Sequence, residues 1–316
     1  MSRQNYNSPR RLGLESLEGR QLMAGNVLVS VNAAHDLIVT GDGNQHDLEI
    51  VQVTQNGQPV DGRYFIAPHQ GTTLNGQAPG VFVSGVTHDI RVTLGGSNDR
   101  LNLHAENGND FGFRVPNDLS INLGGGNNVL TIDHIDVGDD ASIFSGGGAD
   151  SVFFRGLVGF NGNVDSGRND LTIDTGNRND NISLHNFAVR RDVNISTGTD
   201  SFTDSVDLLF ASIGRNTNIS TGAGSDFVSI NEVGFNGIAT INTGADIDTV
   251  SVKESQADQF FFNLGSGNDT MSMTNSFGRR ATLNGGTNAN DNDRLTESGN
   301  SFTEQFLIVN FEHHNN

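Results

Sequence analysis

From residue 90 onward, apolar and polar residues alternate in short runs, and the runs come in pairs around a glycine. Val92, Ile121, Ile143, Ile173, Ile195, Ile219, Ile241 and Phe262 each stand three residues before such a glycine. Ile90, Leu119, Ala141, Leu171, Val193, Thr217, Ala239 and Phe260 stand five before it. Polar residues such as Asn194, Asn218 and Thr240 lie between them. Side chains alternate across a strand, so a period of two predicts a strand with one face inward. Beyond the glycine the alternation resumes, as in Leu101/Leu103, Leu130/Ile132, Val152/Phe154, Ile182/Leu184, Val206/Leu208, Val228/Ile230, Val250/Val252 and Met271/Met273. Each unit therefore reads as a strand, a glycine corner, a second strand and a return turn such as Gly234-Phe-Asn-Gly237. No helix is expected.

The corner itself repeats. Thr221-Gly-Ala-Gly-Ser-Asp-Phe-Val-Ser-Ile230 is the clearest copy. Others are Gly95-Gly-Ser-Asn-Asp99, Gly124-Gly-Gly-Asn-Asn128, Gly146-Gly-Gly-Ala-Asp150, Gly176-Asn-Arg-Asn-Asp180, Gly244-Ala-Asp-Ile-Asp248 and Gly265-Ser-Gly-Asn-Asp269. Looser copies start at Gly198, with its acid at Asp204, and at Gly285, with its acid at Asp293. The interval is about 22 residues, lengthened after Gly95 and Gly146 by what reads as a loop. One such unit cannot bury its apolar side alone, but stacked units can, each pairing its backbone with the next. The expected fold is all-β: a parallel β-helix, or β-solenoid, with about nine coils of ~22 residues, capped at both ends by irregular β structure. Thr197, Thr221 and Thr243, just before the corner, would form an inward polar ladder. A β-sandwich also has short, evenly spaced strands. One corner repeated in fixed phase favours the solenoid.

Four segments follow. Residues 1–25 read as a disordered segment, 26–90 as an N-terminal β cap region, 91–297 as the solenoid, and 298–316 as a C-terminal cap and tail. The cap region carries strand-like runs at Asn26-Val-Leu-Val-Ser-Val31, Leu37-Ile-Val-Thr40 and Leu48-Glu-Ile-Val-Gln-Val53. A capped end hides the unpaired edge that an open stack would expose.

Composition narrows the function. The chain has 316 residues, 40 Gly, no Cys and a formal net charge of −19. That charge disfavours nucleic acid and anionic membranes, and it attracts cations. Without Cys there are no disulfides, thiolate metal sites or cysteine nucleophiles. No run of about 18 apolar residues suggests a membrane span.

Residues Arg10-Arg-Leu-Gly-Leu-Glu-Ser-Leu-Glu-Gly-Arg-Gln-Leu-Met-Ala-Gly25 resemble the LEPR-XLL motif found near the N-terminus of planctomycete proteins regarded as exported. Gly19 stands where that motif has Pro, and Leu22-Met23 where it has Leu-Leu. The layout from Gly25 onward resembles planctomycete exported β-strand repeat proteins. The resemblance implies export and a place at the cell surface or in extracellular matrix, with surface or matrix proteins or polysaccharide as partners.

The corner also resembles the RTX (hemolysin-type) nonapeptide Gly-Gly-x-Gly-x-Asp-x-U-x, with Gly222, Gly224, Asp226 and Val228 in the matching places. This resemblance implies calcium as a cofactor and nominates Asp99, Asp150, Asp180, Asp226, Asp248 and Asp269 as metal ligands. The first glycine of that pattern is Leu94, Ser145, Thr175, Thr221, Thr243 or Leu264 here, and the period is longer. The alternative is that these residues serve only the turn, by bonding nearby amides.

Other candidate chemistry is sparse. The histidines, His35, His46, His69, His88, His104, His134, His185, His313 and His314, read as solvated loop and tail residues. Asp139/Asp140 is a carboxylate pair of the type used on glycosides. The two long intervals hold His104, Glu106, Asp110, Arg114, Arg155 and Arg168 without a recognisable motif. No catalytic residues are assigned. The expectation is a non-enzymatic, exported structural or adhesive solenoid. A calcium-dependent folding module and a carbohydrate-active β-helix enzyme are the alternatives.

Overall fold

The computed structural model describes residues 25–106, 112–155, 158–159, 169–286 and 292–315. The segment with the LEPR-XLL-like motif, except Gly25, lies outside them, as do Asp110 and Arg168. The described chain contains no α-helix and is a β-solenoid of stacked parallel coils of ~22 residues.

The first strands of the coils stack in register into one sheet. Val39, Val92, Ile121, Ile143, Ile173, Ile195, Ile219, Ile241, Phe262 and Leu283 form a single column along it. All ten are buried. The second strands stack likewise, from Leu48 through Leu101, Leu130, Val152, Ile182, Val206, Val228, Val250 and Met271 to Leu295. Inward aliphatic residues thus make one continuous, narrow core. Towards the C-terminus it fills with rings, and Phe260 meets Phe235, Phe262 and Phe302 at 5.5–6.3 Å between centroids.

The expected return turn needs correction. Gly234 and Phe235 belong to strand Phe227–Phe235, whose final residues form a third short strand. The strand bends once, at Glu232, where φ is 54°. His134, Asn186, Phe210, Glu254 and Asn275 occupy the same place with φ between 49° and 56°. Each coil therefore has three short strands and three corners. Because none of these bend residues is Gly or Pro, the sequence carried no turn signal there.

The looser copy at the C-terminal end also shifts. Gly286, not Gly285, has positive φ (139°), and Phe262 pairs with Leu283 so that Gly286 continues the glycine column. These corner glycines are required twice over. A Cβ on Gly244 would lie 1.7 Å from the carbonyl oxygen of Gly222, and φ at Gly244 is 103°. The same clash, at 1.8 Å, awaits a Cβ on Gly265 or Gly286.

Residues 26–90 hold both a cap and the first coil. Leu37–Gly41 and Asp47–Gln55 pair in parallel with Ile90–Thr93 and Arg100–Ala105. Asn26–Val31, Gln58–Pro68 and Val81–Ser84 add antiparallel strands around that coil. At the other end Ser301–Val309 and His313–Asn315 continue the parallel stack.

Candidate functional site

The residue just before each second strand turns its side chain into the core. Asp99, Asn128, Asp150, Asp180, Asp204, Asp226, Asp248, Asp269 and Asp293 form one column, each at most 3% exposed. The six residues nominated as ligands are therefore brought together, but inside the coil. Oδ1 of each accepts the backbone N–H of its counterpart in the preceding coil. Asp150, Asp180, Asp204 and Asp226 donate in turn to Asp180, Asp204, Asp226 and Asp248 at 2.8–2.9 Å. The column starts at His46, whose N–H reaches Asp99 at 2.7 Å, and closes where Asp293 donates to Glu312 at 2.8 Å. A buried amide at a corner has no strand partner, so a carboxylate oxygen takes that role.

Asp204 and Asp293 lie two or more residues late in the repeat, yet both rejoin the column. Position relative to the next strand fixes the side chain, and counting from the glycine missed this. His46 is a correction of another kind. Sequence alone suggests a solvated residue, but it is fully buried because it occupies the corner position of the first coil. Its Nδ1 meets Asp99 at 2.9 Å and its Nε2 meets Asp42 at 3.2 Å. Burial opposes the charged ring, but hydrogen bonds and charge from Asp99 and Asp42 outweigh it and raise the His46 pKa.

The second carboxylate oxygens are less well served. Oδ2 of Asp99, Asp150, Asp180, Asp226 and Asp248 is buried and makes no hydrogen bond of ordinary geometry. Hydroxyls of Ser145, Thr175, Thr221 and Thr243 lie beside the last four. Burial is the dominant influence and pushes Asp150 and Asp204 up to about 6, and Asp180 and Asp248 up to about 7. It raises Asp226 as well. The expected threonine ladder is present: Thr221 and Thr243 donate to the carbonyls of Thr243 and Leu264 at 3.3 and 2.9 Å.

A calcium ion collects about six to eight oxygens at ~2.3–2.6 Å. Where the second atom of a corner side chain has a partner, the spacing is that of a hydrogen bond. Thr197 Oγ1 donates to Asp204 Oδ2 at 2.6 Å, and Asn128 Nδ2 to the Ser145 carbonyl at 3.1 Å. An ion between opposed oxygens needs them about 5 Å apart. With one oxygen per coil already held by an amide, the donor set does not fit a calcium cage.

Comparison with protein-family models, with curated proteins and with solved structures finds no match for this chain.

A second ladder, not foreseen, precedes the first strands of the coils from Leu37 to Ala239. Asp89 donates its N–H to Asp36, Asp118 to Asp89, Asp140 to Asp118, Asp170 to Asp140 and Asp192 to Asp170, all at 2.9–3.3 Å. Asn216 and Ile238 extend it. The signal was in the sequence, as an Asp immediately before Leu37, Ile90, Leu119, Ala141, Leu171 and Val193. Asp118, Asp139 and Asp140 bring carboxylate oxygens within 4.8 Å of one another here. Asp140 Oδ1 also accepts the N–H groups of Asn169 and Asp170, both at 2.9 Å.

The described residues of the long intervals do not all meet in one site. Glu106 accepts from Thr54 at 3.0 Å, and Arg114 meets Asp61 at 3.2 Å beside a hollow of about 410 Å³. His104 and Arg155 line a different groove of about 430 Å³, where the Arg155 guanidinium sits over the Phe153 ring.

Proposed function

We propose that the chain is a non-enzymatic, exported structural or adhesive solenoid of the cell surface or extracellular matrix. The observation that carries this reading is the outward face of the first sheet. Ser120, Ser142, Thr172, Asn194, Asn218 and Thr240 follow one another in register, one per coil. Hydroxyls and amides so repeat every ~4.8 Å along the stack. Asn218 donates to Asn194 at 3.0 Å within this row, and in the neighbouring outward row Asn284 donates to Asn263 at 2.8 Å. A straight row of small polar groups suits contact with an extended, repetitive partner such as a polysaccharide or another surface protein. The scattered ionisable residues at the long intervals favour this over the enzyme reading.

Two measurements test it. Mild proteolysis of intact source cells should release or clip the chain. Finding it only in the soluble cell interior would overturn the surface role. Co-sedimentation of the purified full chain with insoluble matrix polysaccharide should fall when Asn194, Asn218 and Thr240 are all replaced by Glu. Equal sedimentation of parent and variant would remove this face as the contact.

A further inference from the structure

We propose that the corner column binds protons rather than calcium: in mildly acidic solution Asp150, Asp180, Asp226 and Asp248 stand in the folded chain as neutral carboxylic acids whose Oδ2–H donates into the interior. Nothing in this depends on the surface role.

The chain contains its own comparison. Asn128 occupies the column between Asp99 and Asp150, and its Oδ1 accepts the Asp99 N–H at 2.9 Å, as a carboxylate would. Its second atom, Nδ2, donates to the carbonyl oxygens of Gly126 and Ser145 at 3.0 and 3.1 Å. At Asp204 the second atom accepts from the Thr197 hydroxyl at 2.6 Å, but at Asn128 it faces carbonyl acceptors. An ionised Oδ2 in that place sets lone pair against lone pair, and a protonated one donates as Asn128 does.

The buried Oδ2 atoms of these four aspartates lack hydrogen bonds of ordinary geometry. The Ser145, Thr175, Thr221 and Thr243 hydroxyls beside them favour the ionised form, but those of Ser145, Thr221 and Thr243 also donate to carbonyls, which leaves room for a donor hydrogen on Oδ2. Charge acts in the same direction. Successive carboxylates stack about 4.8 Å apart and repel when ionised. Asp200 and Asp246 add negative charge beside the corner. Asp204, Asp269, Asp293 and Glu312 continue the acidic column, and Asp42 lies at its start. His46 is a basic group hydrogen-bonded into it, and it meets Asp99. Burial is what lifts the pKa of all four. Asp150 rises to about 6, and Asp180 and Asp248 to about 7, against an ordinary 3.8.

The sign follows from that direction. A carboxyl whose folded pKa is raised stabilises the fold fully below about pH 4 and loses that contribution as pH rises through about 6 to 7. The purified full chain should therefore melt several degrees higher at pH 5.5 than at pH 8. Its infrared spectrum should show a neutral carboxyl C=O band at pH 5.5 that fades through pH 7. Asp180→Asn places the Asn128 arrangement in a second coil. It should raise the melting temperature at pH 8 and flatten its pH dependence, with or without chelator. Asp248→Asn should do the same, and the infrared titration of the parent decides the matter if neither variant folds. No neutral carboxyl band at pH 5.5 overturns the proposal. So does a calcium-induced rise in melting temperature at pH 8 that Asp180→Asn abolishes, because the ligand would then be the cation.

Discussion

Replacing Gly244 by Ala should destabilise the stack far more than replacing Gly147, only a few coils away. The added Cβ at residue 244 would sit 1.7 Å from the Gly222 carbonyl oxygen, so the coils must part by about 1.7 Å to restore contact at 3.4 Å. That oxygen also accepts the Ala245 N–H at 3.1 Å, and the Gly244 carbonyl accepts from Ser266 at 2.8 Å. Separation stretches the first, and a shift of the coil away from Gly222 crowds the second. Positive φ costs an L-residue ~1–2 kcal/mol. Overpacking adds ~1–3 kcal/mol, and each weakened hydrogen bond ~0.5–1.5 kcal/mol. The expected loss is about 3–6 kcal/mol. A Cβ added at Gly147 would meet no atom within 4 Å, and φ there is not positive. Gly147→Ala should therefore change stability by less than about 0.5 kcal/mol. Urea unfolding followed by circular dichroism compares the two. Equal midpoints for both variants would refute the close-approach argument.

Ile219→Asp puts an unpaired charge in the middle of the aliphatic column, where Ile219 is 1% exposed, and should cost several kcal/mol. Little soluble, folded protein is the expected yield, and a parent-like melt would disprove the single core. His46→Ala removes the buried partner of Asp99 and should cost about 3 kcal/mol near pH 6. Because the folded pKa of His46 is raised, its contribution is complete below about 6.5 and lost as pH rises through the folded value. The gap between parent and variant in melting temperature should therefore narrow at alkaline pH. Arg279 holds Asp258 and Glu304 together at the surface. Arg279→Ala should shift the melt much less than Ile219→Asp, and concentrated salt should erase the shift.

The stacking was legible because apolar periodicity and a glycine that must clear its neighbour are both written in residue type. Ile121, Ile143, Ile195, Ile219 and Ile241 fall in one column, as their phase demanded. The third strand was not legible. A bend made by Asn186, Phe210 or Glu232 depends on the left-handed backbone of one residue that is not glycine, held by the coils on either side. The inward aim of the aspartates was hidden for a different reason. Asp is ordinarily a surface and turn residue, and only the orphaned corner amide makes its burial worthwhile. Register set by the following strand explains why Asp204 and Asp293 could drift from their glycines without leaving the column.

The two carboxylate ladders run in opposite senses. Along the glycine corner an earlier coil donates to a later one, as Asp180 does to Asp204. Along the other edge a later coil donates backwards, as Asp192 does to Asp170. As far as Ile238, a coil joining the growing end thus finds one acceptor waiting and brings another for its predecessor. It docks and locks in the same event, and a chain threaded out N-terminus first would be ratcheted shut behind itself, turn by turn.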